Sequence, residues 1–240
     1  MRYLYGPVHS RRLGLSLGIT LTPHKVCPFD CIYCQLGRTI IKTRKRQSYI
    51  KSNEIISELK EFLKSPALKS AAPDYISISG FGEPTLHSNL AYLIAEIKKL
   101  TLIPLALFTN AALFYDPEVR RDVLGVDLLV PSLDAVTQGV FREIDRPAPG
   151  IKIKDVIKGL VALRKEFKTG IYLEIMLVKN VNDSQEYSYK FKEVIDRINP
   201  DKIQLNIPVR STTESWVMPP DRERLLQIKE ILGPKCEIVA

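Results

Sequence analysis

The segment Leu15-Ser16-Leu17-Gly18-Ile19-Thr20 is followed closely by the run Cys27-Pro28-Phe29-Asp30-Cys31-Ile32-Tyr33-Cys34, and these two stretches decide the fold and the chemistry. The first alternates apolar with small or polar residues, which is typical of a strand. The second holds three of the four cysteines of the chain. Three thiolates on one short loop can each bind one iron of a four-iron, four-sulfur cube and leave the fourth iron without a protein ligand. A metal centre with an open position is suited to chemistry, as catalytic zinc sites are.

A zinc site is the main alternative for the same cysteines. A single zinc ion could be completed by His24, which lies three residues before Cys27, or by Cys236, the remaining cysteine. Structural zinc usually takes its ligands from two short pairs that are far apart in the chain, and no second pair is present. The spacing therefore favours an iron–sulfur site and leaves zinc as an alternative. A disulfide between Cys31 and Cys34 is disfavoured, because no feature of the chain indicates secretion.

The composition is that of a globular protein. Hydrophobic residues make up 45% of the 240 residues, which is enough for one large domain or two small ones. The first residues lack the apolar core of a signal peptide, and no apolar run approaches the ~20 residues of a membrane-spanning helix. We therefore expect a soluble cytoplasmic protein, in which thiols stay reduced.

The chain is basic, with a formal net charge of +8. A basic surface attracts phosphates, RNA or acidic substrates. The densest run is Lys42-Thr43-Arg44-Lys45-Arg46, shortly after the cysteine loop. It is either a rim that grips phosphate beside the active site or a solvated loop. The adjacent pair Arg11 and Arg12 has the same two interpretations.

Strand and helix patterns alternate along the chain. The predicted strands show period-two or continuous apolar patterns, and the predicted helices have apolar residues three and four positions apart. Strands are expected at residues 15–20, 74–79, 103–109, 126–132, 171–179 and 202–208. Helices are expected at residues 53–64, 87–99, 117–124, 137–144, 154–167, 184–198 and 221–232, the last capped by Asp221.

The order of these elements predicts the architecture. Strands separated by helices run parallel, with right-handed crossovers. Six such units fall short of the eight of a closed barrel. We therefore predict an α/β protein with a partial, open (β/α)6 barrel like part of a TIM barrel, and a doubly wound open sheet is the alternative. Residues 1–240 are expected to form a single domain, with a cluster loop at about 22–40 and a C-terminal segment at about 211–240 that packs on the barrel.

Polar residues gather at the carboxyl ends of the predicted strands, where parallel sheets bind ligands. The cysteine loop follows the first strand. The later strands are followed by Gly80-Phe81-Gly82-Glu83-Pro84, Thr109-Asn110, Ser132-Leu133-Asp134, Lys179-Asn180, and Asn206 with Arg210. Taken singly, each of these is more often a cap or turn residue than a ligand, but together with the cysteine loop they predict one site at this edge of the sheet.

Two of these motifs resemble the signatures of the radical S-adenosylmethionine (SAM) superfamily. The pattern Cys-x3-Cys-x-Tyr-Cys after a first strand resembles its cluster motif, and Gly80-Phe81-Gly82-Glu83-Pro84 after the second strand resembles its glycine–glutamate motif. The resemblance covers the whole chain, since the (β/α)6 barrel is the core fold of that superfamily. It implies an enzyme that reductively cleaves SAM at a [4Fe-4S] cluster and uses the 5′-deoxyadenosyl radical to abstract hydrogen from a substrate.

The resemblance also implies roles for individual residues. Cys27, Cys31 and Cys34 would ligate the cluster, whose open iron would be chelated by SAM. Tyr33 would contact the adenine, and the Gly82-Glu83 turn would meet the SAM amino group through its backbone. The ends of the next three strands would face the ribose or the carboxylate of SAM through Asn110, Ser132 and Lys179.

A narrower resemblance concerns one branch of the superfamily. In five motifs this chain is similar to the Fe–S oxidoreductase group related to the tRNA wybutosine-synthesis enzyme, 4-demethylwyosine synthase. These motifs are Gly6-Pro7-Val8-His9-Ser10-Arg11-Arg12-Leu13-Gly14, Cys34-Gln35-Leu36-Gly37-Arg38-Thr39, Gly82-Glu83-Pro84-Thr85-Leu86-His87, Asp145-Arg146-Pro147 and Trp216-Val217-Met218-Pro219-Pro220. That enzyme carries a second cluster on three further cysteines, whereas only Cys236 is left here. The resemblance therefore implies a shorter relative with one cluster and a different or unassigned substrate.

The charge and the resemblance indicate classes of substrate and partner. The basic charge favours a tRNA, a nucleoside or another phosphate-bearing substrate. The resemblance implies a reducing partner such as a flavodoxin or ferredoxin. A protein or peptide substrate, as for a glycyl-radical activase, is the enzymatic alternative, and a zinc-dependent RNA-binding module is the non-enzymatic one.

Overall fold

The computed structural model describes residues 1–66 and 72–239. Its strands are β1 (Leu4–Ser10), β2 (Gly14–Thr20), β3 (Val26–Cys27), β4 (Ile41–Lys42), β5 (Tyr75–Ser79), β6 (Leu105–Thr109), β7 (Leu128–Pro131), β8 (Gly170–Met176), β9 (Lys202–Asn206) and β10 (Cys236–Ile238). Its helices are α1 (Ser52–Lys64), α2 (Leu90–Leu100), α3 (Pro117–Asp122), α4 (Gln138–Ile144), α5 (Ile153–Glu166), α6 (Gln185–Ile198) and α7 (Arg222–Leu232).

One large sheet organises the fold. Its strand order is β1-β2-β5-β6-β7-β8-β9-β10, and β3 and β4 form a separate parallel pair. Every neighbouring pair from β2 to β10 is parallel, whereas β1 is antiparallel to β2. The six predicted strands are all present as β2 and β5 to β9, in sequential order. The prediction of a mostly parallel α/β sheet is confirmed.

Alternate residues of the strands belong to two different apolar clusters. Leu105 and Leu107 of β6 belong to the larger one, which also contains the inner residues of the helices. Ala106 of β6 belongs to the smaller one, together with Leu128 and Val130 of β7. The described residues of this smaller cluster come from strands and from the β1–β2 turn. Helices therefore cover one face of the sheet, as in an open barrel, whereas a doubly wound sheet carries helices on both faces.

The sequence patterns do not predict the two edge strands. Strand β1 contains Gly6 and Pro7, and its register shifts between Tyr5 and Val8, so it lacks a regular alternation. Strand β10 has only three residues and pairs with β9. Cys236 lies opposite Ile203, the second residue of β9, and so sits at the amino end of the parallel strands. The candidate site residues follow the carboxyl ends.

The predicted helices are present with small shifts at their ends. Ser184 caps α6, since its hydroxyl accepts from the Tyr187 backbone N–H at 3.1 Å. The predicted cap of α7 is wrong in one respect. Asp221 does precede the helix, but its side chain makes no capping bond and instead accepts from Lys179 Nζ at 3.1 Å. Within the described residues, none of the helices combines the length and the apolar character needed to cross a membrane.

Candidate functional site

Cys27 is the first residue of the cysteine loop and is anchored in a strand pair. It ends β3, lies opposite Lys42 of β4, and its carbonyl accepts from the Thr43 backbone N–H at 3.1 Å. Its Sγ accepts from Asn110 Nδ2 at 3.3 Å. Burial, together with the nearby carboxylate of Glu83, raises the pKa of Cys27. A thiol in such a place keeps its proton unless a positive partner such as a metal centre stabilises the thiolate.

Cys31 and Cys34 lie further along the same loop. The Cys34 backbone N–H donates to the Cys31 carbonyl at 3.2 Å, which closes a turn between them. Both side chains are half-buried, and all three loop cysteines are free thiols. Burial raises the pKa of Cys31, and the nearby carboxylate of Asp145 raises it further. The loop thus offers three separate sulfur donors.

Two segments that are distant in sequence hold the backbone of this loop. The last residue of α4 and the chain after it, residues 144–148, make three backbone hydrogen bonds to residues 28–32. On the other side, Thr213 and Glu214 make hydrogen bonds of 3.0 Å to the backbone of residues 32–34. The shape of the loop is therefore set by tertiary contacts and not by the loop sequence alone.

The glycine turn after β5 touches the cysteine strand directly. Gly82 forms a bridge with Val26 of β3, and the Glu83 backbone N–H donates to the Val26 carbonyl at 3.0 Å. Gly82 has a φ of +133°, and a Cβ at this position would overlap the Val26 carbonyl oxygen and lie 3.0 Å from the backbone N and C of Val26. Only glycine allows this conformation and this approach. The turn therefore places the two signature motifs side by side.

The Glu83 carboxylate is fully used by protein groups. It is 2% exposed, and its Oε1 accepts from Thr85 Oγ1 and Thr109 Oγ1, each at 2.6 Å. Its Oε2 accepts from the Asn110 backbone N–H at 2.7 Å. Burial raises the pKa of Glu83, and these hydrogen bonds oppose the rise. The side chain ties the turn to the end of β6, while the Gly82 carbonyl oxygen has no donor among the described residues.

Asn110 lies at the site, and its side chain is engaged locally. Its Nδ2 donates to Cys27 Sγ, and its Oδ1 accepts from the Ala112 backbone N–H at 3.0 Å. With the backbone bond to Glu83, this residue connects the glycine turn to the first cysteine. Asn110, predicted to contact SAM, is thus also a direct neighbour of a candidate cluster ligand.

Tyr33 and Asp134 form a second part of the site. The Tyr33 hydroxyl donates to Asp134, whose Oδ1 accepts from the Met176 backbone N–H at 2.7 Å. Burial raises the pKa of Asp134 to about 7. Ser132 and Asp134 line one small cavity that also includes Asn110 and Asp145. The ends of β6 and β7 therefore converge on the cysteine loop, as the parallel order predicts.

Asp145 is a site residue that the sequence patterns do not single out by its chemistry. It is 3% exposed, and its Oδ1 lies 3.4 Å from Cys31 Sγ, within hydrogen-bonding distance of the thiol. Burial, reinforced by Asp134, raises the pKa of Asp145. The available signal is its place in the motif Asp145-Arg146-Pro147, directly after a helix.

Three basic residues considered above, Lys179, Arg11 and Arg12, form hydrogen bonds or ion pairs within the protein. Lys179 Nζ donates to the Asp221 carboxylate, so its observed contacts are with the C-terminal segment and not with the cysteine loop. Arg11 donates to a backbone carbonyl near the C-terminus at 3.1 Å. Arg12 pairs with Glu174. Arg12 is half-buried, whereas Arg11 is exposed, so the interpretation of a simply exposed arginine is wrong for Arg12 alone.

The basic run after the cysteine loop does not act as one unit. Arg46 is turned into the protein, where it pairs with Asp122. Lys42 and Arg44 are exposed and lie against residues 146–150. The phosphate-rim interpretation therefore concerns Lys42 and Arg44, and not Arg46.

The donor set fits an iron–sulfur cluster better than a single zinc ion. Cys236 lies at the opposite end of the strands and cannot complete a site with the loop. In the part of the chain that the structure describes, no three His, Cys, Asp or Glu side chains converge on a position for one ion. A zinc ion needs all its ligands within about 2.0–2.3 Å of one point, whereas each cysteine of a cluster binds its own iron. Three separate free thiols therefore suit the cluster.

Comparison with protein families gives one match over most of the chain. Residues 21–191 match the family described as the radical SAM superfamily. This span contains the cysteine loop, the glycine turn and strands β5 to β8.

Two relatives show how the chain compares in length. It is 35% identical over 237 residues to a UPF0026 protein of Methanocaldococcus jannaschii, which covers 97% of this chain and 73% of that protein. It is 40% identical over 235 residues to a protein of Brachyspira hyodysenteriae named GTPase Obg, which covers 98% of this chain but 34% of that protein. The chain thus spans about a third of one relative and about three quarters of the other.

A solved structure of TYW1 with a bound lysine–pyruvate adduct has a similar fold. The TM-score is 0.64 at 21% identity, over 90% of this chain and 72% of that one. At this identity the likeness concerns the fold alone, and it confirms the open barrel.

Proposed function

We propose that this chain, which belongs to the radical SAM superfamily, holds the cluster of that superfamily on Cys27, Cys31 and Cys34. The chain is an enzyme, and its cofactors are a [4Fe-4S] cluster and SAM. When bound, the reduced cluster supplies the electron that splits SAM into methionine and a 5′-deoxyadenosyl radical, which abstracts hydrogen from the substrate. The observation that best supports the residue assignment is the contact of the Gly82 turn with β3, the strand that ends in Cys27.

We assign the following roles to residues around the cysteines. The Asn110 amide donates a hydrogen bond to Cys27 Sγ and would stabilise its thiolate. The Gly82 carbonyl, which has no donor in the described residues, would accept from the ammonium group of SAM. Tyr33 would lie against the adenine. Ser132 lines the cavity beside the loop and would face the ribose or carboxylate.

Lys179 is a further member of this proposed set. It follows β8 at the correct end of the sheet, and its ammonium group is paired with Asp221 at 3.1 Å. The pair is exposed, so it is easily broken and costs at most about 1 kcal/mol to separate. In our proposal Lys179 reaches a carboxylate of SAM only after leaving Asp221.

The segments around the loop would exclude water from the radical. Glu214 of the C-terminal segment pairs with Arg38 and with Arg146, and so closes the outer side of the loop. Residues 144–148 cover another side through their backbone hydrogen bonds. A covered site protects reactive species from side reactions.

We propose a phosphate-bearing substrate, such as a nucleoside derivative or a tRNA. The net charge of +8 and the exposed cations Lys42 and Arg44 beside the cysteine loop support this class. Superfamily members need an external reductant, and we propose a flavodoxin- or ferredoxin-like protein in that role.

Anaerobic reconstitution with iron and sulfide, followed by dithionite and SAM, tests the residue assignment. We expect bound iron, an EPR signal that SAM alters, and 5′-deoxyadenosine on HPLC. Cys34→Ala, at a half-buried position, should lose the cluster and the 5′-deoxyadenosine. Cys236→Ala is the matched control and should keep both, because Cys236 lies at the far end of the strands. Full iron binding by Cys34→Ala, or its loss in Cys236→Ala, would overturn the three-cysteine assignment.

A further inference from the structure

A basic pocket lies beside residues 144–148, the segment that supports the cysteine loop. It has a volume of about 310 Å³, at the lower end of the ~300–1,000 Å³ usual for small-molecule sites. Its walls come from β4, α4 and the turn before α5. The cations that line it are Lys42, Arg142, Arg146 and Lys152. Arg44 stands at its edge, because a Cβ on Gly150 would lie 3.2 Å from the Arg44 guanidinium.

The pocket contains more positive charge than the protein neutralises. Arg146 pairs with Glu214. In residues 1–66 and 72–239, Arg44, Arg142 and Lys152 take part in no ion pair, and the pocket lining contains no carboxylate. Cations grouped around a concave surface create a positive potential that an anion would relieve. The pocket is therefore built for an anionic ligand.

The kind and number of cations favour phosphate over a single carboxylate. Guanidinium groups bind phosphate oxygens in pairs, and an ammonium group adds a mobile point charge. The pocket offers Arg142 and Arg44 as free guanidinium groups and Lys152 as a free ammonium group. A phosphate monoester carries about −1.5 to −2 charges at neutral pH, so it matches several cations better than one carboxylate does.

The wall of the pocket is also the support of the cysteine loop. Residues 144–148 make backbone hydrogen bonds to residues 28–32, and Asp145 touches Cys31. Lys42, which lies opposite Cys27 in the β3–β4 pair, donates to the Arg146 carbonyl at 3.2 Å. Residues 144–148 thus lie between a group held in the pocket and the loop that carries the candidate cluster ligands.

We propose that this pocket binds a phosphate group of a nucleotide or polynucleotide substrate. The identity of the bound group as part of the substrate rests on the proposed function. The anion site itself stands on the charges and geometry above, and its binding can be measured without cluster or SAM.

Isothermal titration of the full chain tests the site with three probes: inorganic pyrophosphate, a ribonucleoside monophosphate and a single-stranded oligoribonucleotide. The test variant is Arg142→Gln/Lys152→Gln. The matched control is Arg222→Gln/Lys158→Gln, which removes the same charge from exposed helix positions outside the pocket. We expect the test variant to bind phosphate at least about tenfold more weakly, since two charge-assisted hydrogen bonds are lost, and the control to change less than about twofold.

The salt dependence and the comparison of probes distinguish a small phosphate-bearing substrate from a polynucleotide. If the two mutated cations contact two phosphates of the oligoribonucleotide, the slope of log K against log salt should fall by about 1.4, from ~0.7 per contact. Comparable binding of the mononucleotide assigns the pocket to a small substrate, and binding of the oligoribonucleotide alone assigns it to a polynucleotide. Either result supports the proposal.

Three results would overturn it. One is no binding of any probe. Another is an equal loss in the test and control variants, which would indicate only the general charge of the surface. The third is tighter binding of a poly-glutamate peptide that the test variant abolishes, which would assign the pocket to an acidic protein. Pyrophosphate binding without 5′-deoxyadenosine formation by the reconstituted enzyme would leave the pocket in place and refute the proposed function.

Discussion

The substitution Gly82→Ala tests the contact between the two signature motifs. A Cβ at Gly82 would overlap the Val26 carbonyl oxygen and lie 3.0 Å from the backbone N and C of Val26, and the φ of +133° is already unfavourable for alanine. Gly37→Ala is the matched control, because Gly37 also has a positive φ, +73°, and lies directly after the cysteine loop, but a Cβ there meets no atom within 4 Å. The pair compares a glycine packed against β3 with one in open space, and part of the difference is backbone strain, because +73° lies closer than +133° to the φ of +58° that Ala111 adopts.

The expected magnitudes follow from these two terms. Placing alanine at a positive φ costs roughly 1–2 kcal/mol. At Gly82 the clash must also move the turn away from β3, which breaks the hydrogen bond from Glu83 to the Val26 carbonyl and costs about 1 kcal/mol more. With the repacking that follows, Gly82→Ala should lower the free energy of unfolding by about 2 kcal/mol more than Gly37→Ala does.

Urea unfolding and iron analysis measure the effect. With a urea m-value of about 1–3 kcal/mol/M, a difference of about 2 kcal/mol separates the two midpoints by roughly 1 M. Gly82→Ala should also bind less iron after reconstitution, since Cys27 shares its strand with Val26. Equal midpoints and equal iron content in the two variants would refute the claim that the close approach at Gly82 positions the cysteine strand.

Three further predictions concern the polar groups around the loop. Glu83→Gln should lower the free energy of unfolding by about 1–3 kcal/mol, because it leaves buried donors without acceptors, whereas the exposed Glu193→Gln should change urea stability little. Asp134 has a folded pKa of about 7 against 3.8 in an unfolded chain, so its stabilising contribution is present below pH 3.8 and is lost as the pH rises to 7. The cluster-free wild type should therefore lose stability relative to Asp134→Asn across this window, and a constant difference in urea titrations would contradict the buried carboxyl. Asn110→Ala should make the midpoint potential of the reconstituted cluster more negative at unchanged iron content, because the Cys27 sulfur loses a hydrogen bond. An unchanged potential in a redox titration monitored by EPR would contradict that contact.

The sequence predicts the six core strands and their parallel order because each strand is buried and strongly patterned. The sequence does not predict the edge strands, because they lack a regular pattern. In β1 the residues Gly6 and Pro7 interrupt the alternation, and β10 is too short to show a period. Edge strands take their structure from the neighbour they pair with, and that neighbour is not visible in their own residues.

The site follows the same division. The cysteines, Gly82 and Glu83 are visible in sequence because their chemistry or conformation demands those residue types. Asp145 is not, because its importance comes from being carried onto Cys31 by a segment more than a hundred residues further along the chain. In the basic run the sequence suggests a binding role that the structure does not support for Arg46, because Arg46 forms an ion pair with Asp122. The free cations of the pocket come largely from the region of α4 and α5.

The supports of the cysteine loop have a consequence for biosynthesis. Residues 27–34 are made before the residues whose backbone groups hold them, which are 144–148 and 213–214. At about 5–20 residues per second, the ribosome needs roughly 10–40 s to travel from the loop to its last support. During that interval the thiols are held on an unsupported segment, exposed to oxygen and to stray metals. We therefore expect iron to be delivered after residues 213–214 have been made, and the growing chain to need protection of its thiols until these residues have docked on the cysteine loop.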